Sequence, residues 1–452
     1  MENQTIKFKD RQTEVWVYPR ISVYSNEIDN SEFLSFLNEK PTKNLPINLY
    51  IHIPFCNSFC FFCPYYKVRY NGYKEENKEL FMNSLLAELE MYSKTEYFKN
   101  AQIGSIYFGG GDGALLELKY LDKILKFVKS NFNVVDEVAV SLEGHVWSLT
   151  DREKLAWFKS VGGQHISFGV QTFKESIRKK VFLKPTHEEI KKLAALLKEF
   201  EINDFAIDLI YNFPEQTLED VAEDLRKAVE LDPEYIDVHN LNVYPNTKFE
   251  KYINEGKYFD DKPTSEKEVQ MYEFIMNELP KYGYKQVGSI FFSKVKSKPF
   301  RTFIRQSRNY PVLGVGPSAR TYLEKRSYRD VCSVDKYCEE LNKKGYPIEA
   351  GNIATDQEDQ DRMMVFFPQL GWIEKKYIPD DKEVYEKIAL LERSGYVEWK
   401  GDTLYLTYKG RIYCGNVASL FFSDNQRKNN LKTFLKSMTS GTNPYNQDLM
   451  GV

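Results

Sequence analysis

The chain has 452 residues, and its 62 Lys and Arg against 65 Asp and Glu leave a formal charge of −3. That length exceeds what one hydrophobic core fills, so a main domain with an appended one is expected, and the balanced charge sets nucleic-acid binding aside. The amino terminus is polar and no apolar run approaches the roughly 20 residues of a membrane span, so the protein reads as soluble and cytoplasmic, with no membrane partner.

From Asn48 to about Val243, short apolar runs alternate with helical patterns, as repeated βα units around a parallel sheet do. The first strand is expected at Ile47 to Ile53. Leu80, Phe81, Leu85, Leu89 and Tyr92 recur at helical spacing, and the strand Ser105 to Phe108 then ends in three glycines. A second helix carries Leu121, Ile124, Leu125 and Val128 and precedes the strand Glu137 to Leu142. Capping-box patterns at Thr150 to Glu153 and Thr186 to Glu189 start later helices. The strands Gln164 to Gly169, Asp204 to Ile210 and Tyr235 to Val243 keep the rhythm. Six such units are too few for an eight-fold barrel, so the expected fold is α/β, a partial (β/α)6 barrel with its chemistry at the carboxyl ends of the strands.

Beyond Pro245 the rhythm breaks. Tyr385 to Ser394 reads as a helix capped by Gly395, and Tyr396 to Trp399 with Leu404 to Tyr408 as a hairpin around Lys400, Gly401 and Asp402. This is a winged-helix-like order, read as structural or substrate-covering because no basic surplus supports DNA binding. The last residues, Ser440 to Val452, read as a loose tail.

Three of the six cysteines crowd into Cys56-Asn-Ser-Phe-Cys60-Phe-Phe-Cys63, directly after the first strand. Such spacing does not build a disulfide framework. It lets one loop wrap three corners of a cubane, and thiolates favour iron-sulfur over hard cations. The fourth iron is then open to a substrate. The bland alternatives are three buried thiols, or a zinc site that borrows His52.

Tyr50-Ile-His-Ile-Pro-Phe-Cys56 and the two cysteines after it resemble the radical S-adenosylmethionine (SAM) superfamily, in its branch of oxygen-independent coproporphyrinogen III oxidases. The resemblance runs from about Asn48 to Arg320. It implies a 4Fe-4S cluster on Cys56, Cys60 and Cys63, with Tyr50 and Phe62 against cluster and adenine. Gly110 and Gly111 in Phe108-Gly-Gly-Gly111 match the backbone that approaches the amino-acid end of SAM. Glu143 matches the ribose carboxylate, and Gln171 and Asp208 match SAM contacts, with Ile210 near the adenine. The chain then divides into an N-terminal extension over 1–45, a radical SAM core over 46–290 and a C-terminal substrate-covering domain over 291–452. That last domain is mostly helical and includes the winged-helix-like module near 356–415.

Within the branch, decarboxylating members carry a further cysteine where this chain has Tyr65, and an arginine where it has Leu183. Their Gly-Gly-Gly-Thr-Pro becomes Gly111-Asp112-Gly113 here. Phe62-Cys63-Pro-Tyr-Tyr66, Glu143-Gly-His-Val146, Ile177-Arg-Lys-Lys180, Leu241 to Thr247 and Gly410-Arg-Ile-Tyr413 are similar instead to the anaerobic haem-degrading radical SAM methyltransferases, the anaerobilin synthases. That resemblance implies two SAM molecules, haem or another unsaturated small molecule as substrate, and a low-potential electron donor such as flavodoxin or ferredoxin. The expected reaction opens the porphyrin ring to a methylated linear tetrapyrrole and releases iron. Asn309-Tyr310 and Gly314 to Arg320 would roof the cavity. The alternatives are a C-methylase or cyclopropanase of a secondary metabolite, and a haem chaperone of the same branch.

Overall fold

A computed structural model of the protein describes residues 5–12, 18–19, 30–244, 247–294, 311–424 and 426. Asn309, Tyr310, Pro245, Asn246 and the tail over 440–452 lie outside the described residues.

The expected barrel strands form: three are longer than the apolar runs that announce them, and the last ends at Asn240 rather than Val243. In chain order, β1 is Ile47–Ile53, β2 Phe55–Cys56, β3 Val68–Arg69, β4 Ile103–Gly110, β5 Val134–Gly144, β6 Gly163–Gln171, β7 Phe205–Tyr211 and β8 Tyr235–Asn240. Then come β9 Tyr284–Gln286, β10 Phe291–Lys294, β11 Val312–Val315, β12 Arg320–Leu323, β13 Arg326–Asp330 and β14 Ile348–Ile353. The last three strands are β15 Trp372–Glu374, β16 Val397–Lys400 and β17 Thr403–Leu406.

One sheet runs in the order β14-β13-β12-β11-β1-β4-β5-β6-β7-β8-β10-β9. The six strands β1, β4, β5, β6, β7 and β8 are parallel neighbours, with helices in the connections between successive strands. This is the partial (β/α)6 barrel. The sheet does not stop at the boundary expected after residue 290. β10 pairs antiparallel with β8, and β11 pairs parallel with β1 and continues through antiparallel β12, β13 and β14. Antiparallel neighbours need only short turns, so these strands carry no βα rhythm to read.

Helix starts follow local chemistry. The box at Thr186 forms, with its hydroxyl accepting from Glu189 N and the Glu189 carboxylate accepting from Thr186 N. The box expected at Thr150 does not. Thr150 ends a 3-10 turn and Asp151 caps the following helix by accepting from Glu153 and Lys154 N, because a carboxylate one residue later reaches the same free donors.

A second apolar core gathers residues 364–422 around the small sheet β15-β17-β16. The hairpin turns at Gly401 and Asp402, with Lys400 opposite Thr403 and Gly401 at φ +59. Among the described residues, no helix is long and apolar enough to cross a membrane.

Candidate functional site

The strands of the partial barrel alternate. On β1, Leu49, Ile51 and Ile53 join the main core while Tyr50 and His52 take the other face. Ile106 and Phe108 do the same beside Tyr107, Leu142 beside Glu143, Ile166 and Phe168 beside Ser167, and Ile207 and Leu209 beside Asp208. A parallel sheet covered on both faces ordinarily reads as unbroken apolar runs. Here one face is polar and only partly exposed, an arrangement that costs stability.

The polar face is wired across strands. The Tyr50 ring stacks on Tyr107 at 5.8 Å, and Tyr50 Oη lies 3.2 Å from His52 Nδ1. Tyr107 Oη donates to Glu143 Oε2 at 3.4 Å and stands equally far from Ser167 Oγ. Burial, and then the charge of Asp208, push the Glu143 carboxyl up to about 8, against the pull of a hydrogen bond from Gly110 N. Burial raises Asp208 as well, and its electrostatic neighbours include His239 and His165. Asp237, level with Asp208 on the adjacent strand, is pushed well up by burial and then by Asp208, and its Oδ1 has no hydrogen-bond partner.

The glycines join this face to the cysteine loop. A Cβ on Gly109 would lie 2.7 Å from Glu143 Oε2, and one on Gly111 would lie 2.6 Å from Phe55 O and 2.9 Å from Cys56 Sγ. Gly110 has φ +115 and passes against His52. Only backbone without a side chain fits between cysteine loop and carboxylate. Asp112 then closes the turn. Its N donates to Phe55 O at 2.8 Å, and its carboxylate accepts from Ser148 Oγ at 2.6 Å and from His145 N at 3.1 Å.

Cys56, Cys60 and Cys63 are half-buried free thiols. Burial and then Asp112 raise the Cys56 thiol, and burial followed by Cys63 pushes Cys60 up to about 12. A thiolate is costly at such a place unless a cationic centre binds it. Among the described residues, no three His, Cys, Asp or Glu converge as ligands of a single metal ion. A cubane suits three thiols on one loop, since each ligand takes a different corner.

Other expected residues fall in two places. Phe62 packs on the satellite cluster that contains Ile210 and Phe213, with its ring 5.7 Å from that of Phe213. Gln171 ends β6 at φ +69, and its amide folds back over Gly169, opposite Asp208. Tyr107, Asp237 and Asp112 were missed by the sequence reading. The first two are visible only as the polar phase of an alternating strand, which becomes informative once its neighbours are known to alternate too.

Residues 50–228 match the family model of the Radical SAM superfamily. The heme chaperone HemW of Bacillus subtilis (strain 168) is 24% identical over 385 residues, covering 83% of this chain and 99% of that protein. The oxygen-independent coproporphyrinogen III oxidase of Escherichia coli (strain K12) is 23% identical over 92% of this chain and 94% of its own length. The solved structure of coproporphyrinogen III oxidase (HemN) from Escherichia coli matches with a TM-score of 0.77 at 20% identity, covering 90% of this chain and 96% of that one. The fold is therefore shared.

These relatives overturn the expectation of a haem-opening methyltransferase. Proteins that align along most of the chain are a heme chaperone and a porphyrinogen oxidase. The short segments behind that expectation answer to packing. A Cβ on Gly144 would lie 2.6 Å from that of Ala114, and the Arg178 guanidinium is buried on the carbonyls of Val170, Thr172 and Pro185. Such residues record the fold rather than the reaction.

Proposed function

We propose, from the match of residues 50–228 to the Radical SAM superfamily model, that this chain is a haem-binding protein of the chaperone type that keeps a cluster and SAM. The superfamily implies a 4Fe-4S cluster and SAM. In this reading Cys56, Cys60 and Cys63 hold three irons of the cluster and leave the fourth to the amino and carboxylate groups of SAM. When bound, the cluster supplies the electron that reductively cleaves SAM, drawn from a low-potential donor of the flavodoxin or ferredoxin class.

The chain's own residues do the positioning. The bare backbone of Gly110 and Gly111 admits the amino-acid end of SAM beside Cys56. Glu143 accepts from the ribose hydroxyls and is oriented by Tyr107 and Gly110 N. Asp208 and Gln171 take further polar contacts, and Phe62, Ile210 and Tyr50 supply apolar and aromatic surface for the adenine and cluster. The turn around Asp112 ties the glycine run to Phe55 at the start of the cysteine loop.

The observation that carries the chaperone reading is the exit of the cysteine loop. Decarboxylating members of the branch place a fourth cysteine where this chain has Tyr65, and that side chain is 61% exposed. The near-complete alignment with a heme chaperone supports the same choice.

The test uses anaerobically reconstituted full-length protein. Haem should bind stoichiometrically with a shifted Soret band and pass to an apo acceptor such as apomyoglobin, while coproporphyrinogen III keeps its carboxylates. Release of carbon dioxide from coproporphyrinogen III would instead make the chain an oxidase. Replacing Cys56, Cys60 and Cys63 by alanine should abolish iron and sulfide binding. A cluster retained in that variant would refute the ligand assignment.

A further inference from the structure

The cysteine loop closes on itself through its own return strand. Phe55 and Cys56 pair with Val68 and Arg69, Val68 N donates to Pro54 O at 2.7 Å, and Tyr70 N donates to Cys56 O at 3.2 Å. This pairing carries Lys67 back beneath the loop. The lysine is 8% exposed, and its Nζ donates to Cys63 O at 2.9 Å and Tyr65 O at 3.3 Å. The ammonium also stands 5.8 Å from the centroid of the Phe59 ring.

Two carbonyl acceptors need only two neutral donors. A glutamine amide supplies them at far lower desolvation cost than a shielded ammonium. A positive charge held under a loop of three cysteines therefore does something beyond clipping the turn. The reduction potential of an iron-sulfur cluster follows the charge, hydrogen bonding and solvent exposure around its sulfurs. A fixed cation favours the state that carries one more electron.

We propose that Lys67 is a positioning residue whose buried charge raises the reduction potential of the cluster on Cys56, Cys60 and Cys63 and so sets which reductant can load it. The proposal rests on the ligand assignment above. Its redox step is a one-electron reduction of the cluster from its 2+ to its 1+ state by an external low-potential donor, with no proton moved. The neutral backbone carbonyls of Cys63 and Tyr65 fix where the charge sits. Arg69, whose guanidinium lies 4.9 Å from the same Phe59 ring, is exposed and bonded to Asn57 O, so solvent screens it.

The test is a potentiometric titration of the reduced cluster, followed by electron paramagnetic resonance, in reconstituted parent, K67Q, K67M and K67R. Iron and sulfide are counted in each. With full iron load, K67R should titrate with the parent. K67Q, which keeps two amide donors, and K67M should need a lower potential, the ratio of reduced to oxidised cluster at one applied potential falling about tenfold, ~59 mV for one electron. Parent-like potentials in K67Q and K67M would overturn the proposal and leave Lys67 a loop clip. Iron loss in both neutral variants with full load in K67R would also overturn it, in favour of a role in cluster assembly. Failure of the ligand assignment reads differently, as a cluster that survives alanine at all three cysteines.

Discussion

SAM should bind this protein more tightly as pH rises towards 8, and Glu143 should be the reason. In the folded protein its carboxyl is pushed up to about 8, first by burial and then by the charge of Asp208. Ribose hydroxyls donate, so they select the ionised form. At pH 7, one unit below that value, ionising the carboxyl costs ~1.4 kcal/mol, or about tenfold in affinity. The Kd for SAM on reconstituted protein should therefore fall about tenfold per pH unit below 7 and level off above about 8. Calorimetry in buffers of different ionisation enthalpy should count the proton released. Glu143→Gln cannot titrate, so its Kd should be flat over this range and, at high pH, weaker than the parent's by the ~1.5–3 kcal/mol of a hydrogen bond to a charged group. Asp208→Asn removes a repelling charge and should move the parent's curve to lower pH. A flat Kd in the parent, or the same slope in Glu143→Gln with the fold intact, would refute both the role and the electrostatic argument.

Gly111→Ala should lose bound iron. Its new Cβ would lie 2.6 Å from Phe55 O and 2.9 Å from Cys56 Sγ, and shifting that turn costs ~1–3 kcal/mol. Gly345→Ala, whose nearest neighbour would be at 3.5 Å, is the control, and equal iron content in the two variants would refute the packing argument. Glu88 predicts a pH effect on stability itself. It is fully buried, accepts from Gly316 N at 2.9 Å and from Tyr337 Oη, and is raised by burial to about 7 despite those bonds. A raised carboxyl leaves its stability whole below about pH 4.5 and loses it as pH climbs through about 7. Urea midpoints should fall across that window in the parent and fall less steeply in Glu88→Gln, with an unchanged slope counting against the residue.

The cysteine loop was legible because its three thiols are local in the chain. Three thiols within eight positions lie on one loop, and the strand before them and the glycine run after the next strand follow from hydrophobic period and missing side chains. The same locality made the six βα units readable. It also misled, since Glu143-Gly-His-Val146 and Ile177-Arg-Lys-Lys180 are short enough to be dictated by packing against Ala114 or by the carbonyls that Arg178 caps.

What only the tertiary structure decided lies between distant segments. Extension of the sheet beyond β1 depends on one long-range pairing, that of Asn48 to Ile51 with Val312 to Val315. Parallel register sets Tyr50 level with Tyr107 and Asp208 level with Asp237 on neighbouring strands. Lys67 reaches the cysteines because a two-residue ladder folds the loop back on itself. Sequence by itself determined which residues can bind soft metal and where the backbone is bare. Burial decided their charge, because desolvation depends on everything packed around a group and not on its neighbours in the chain.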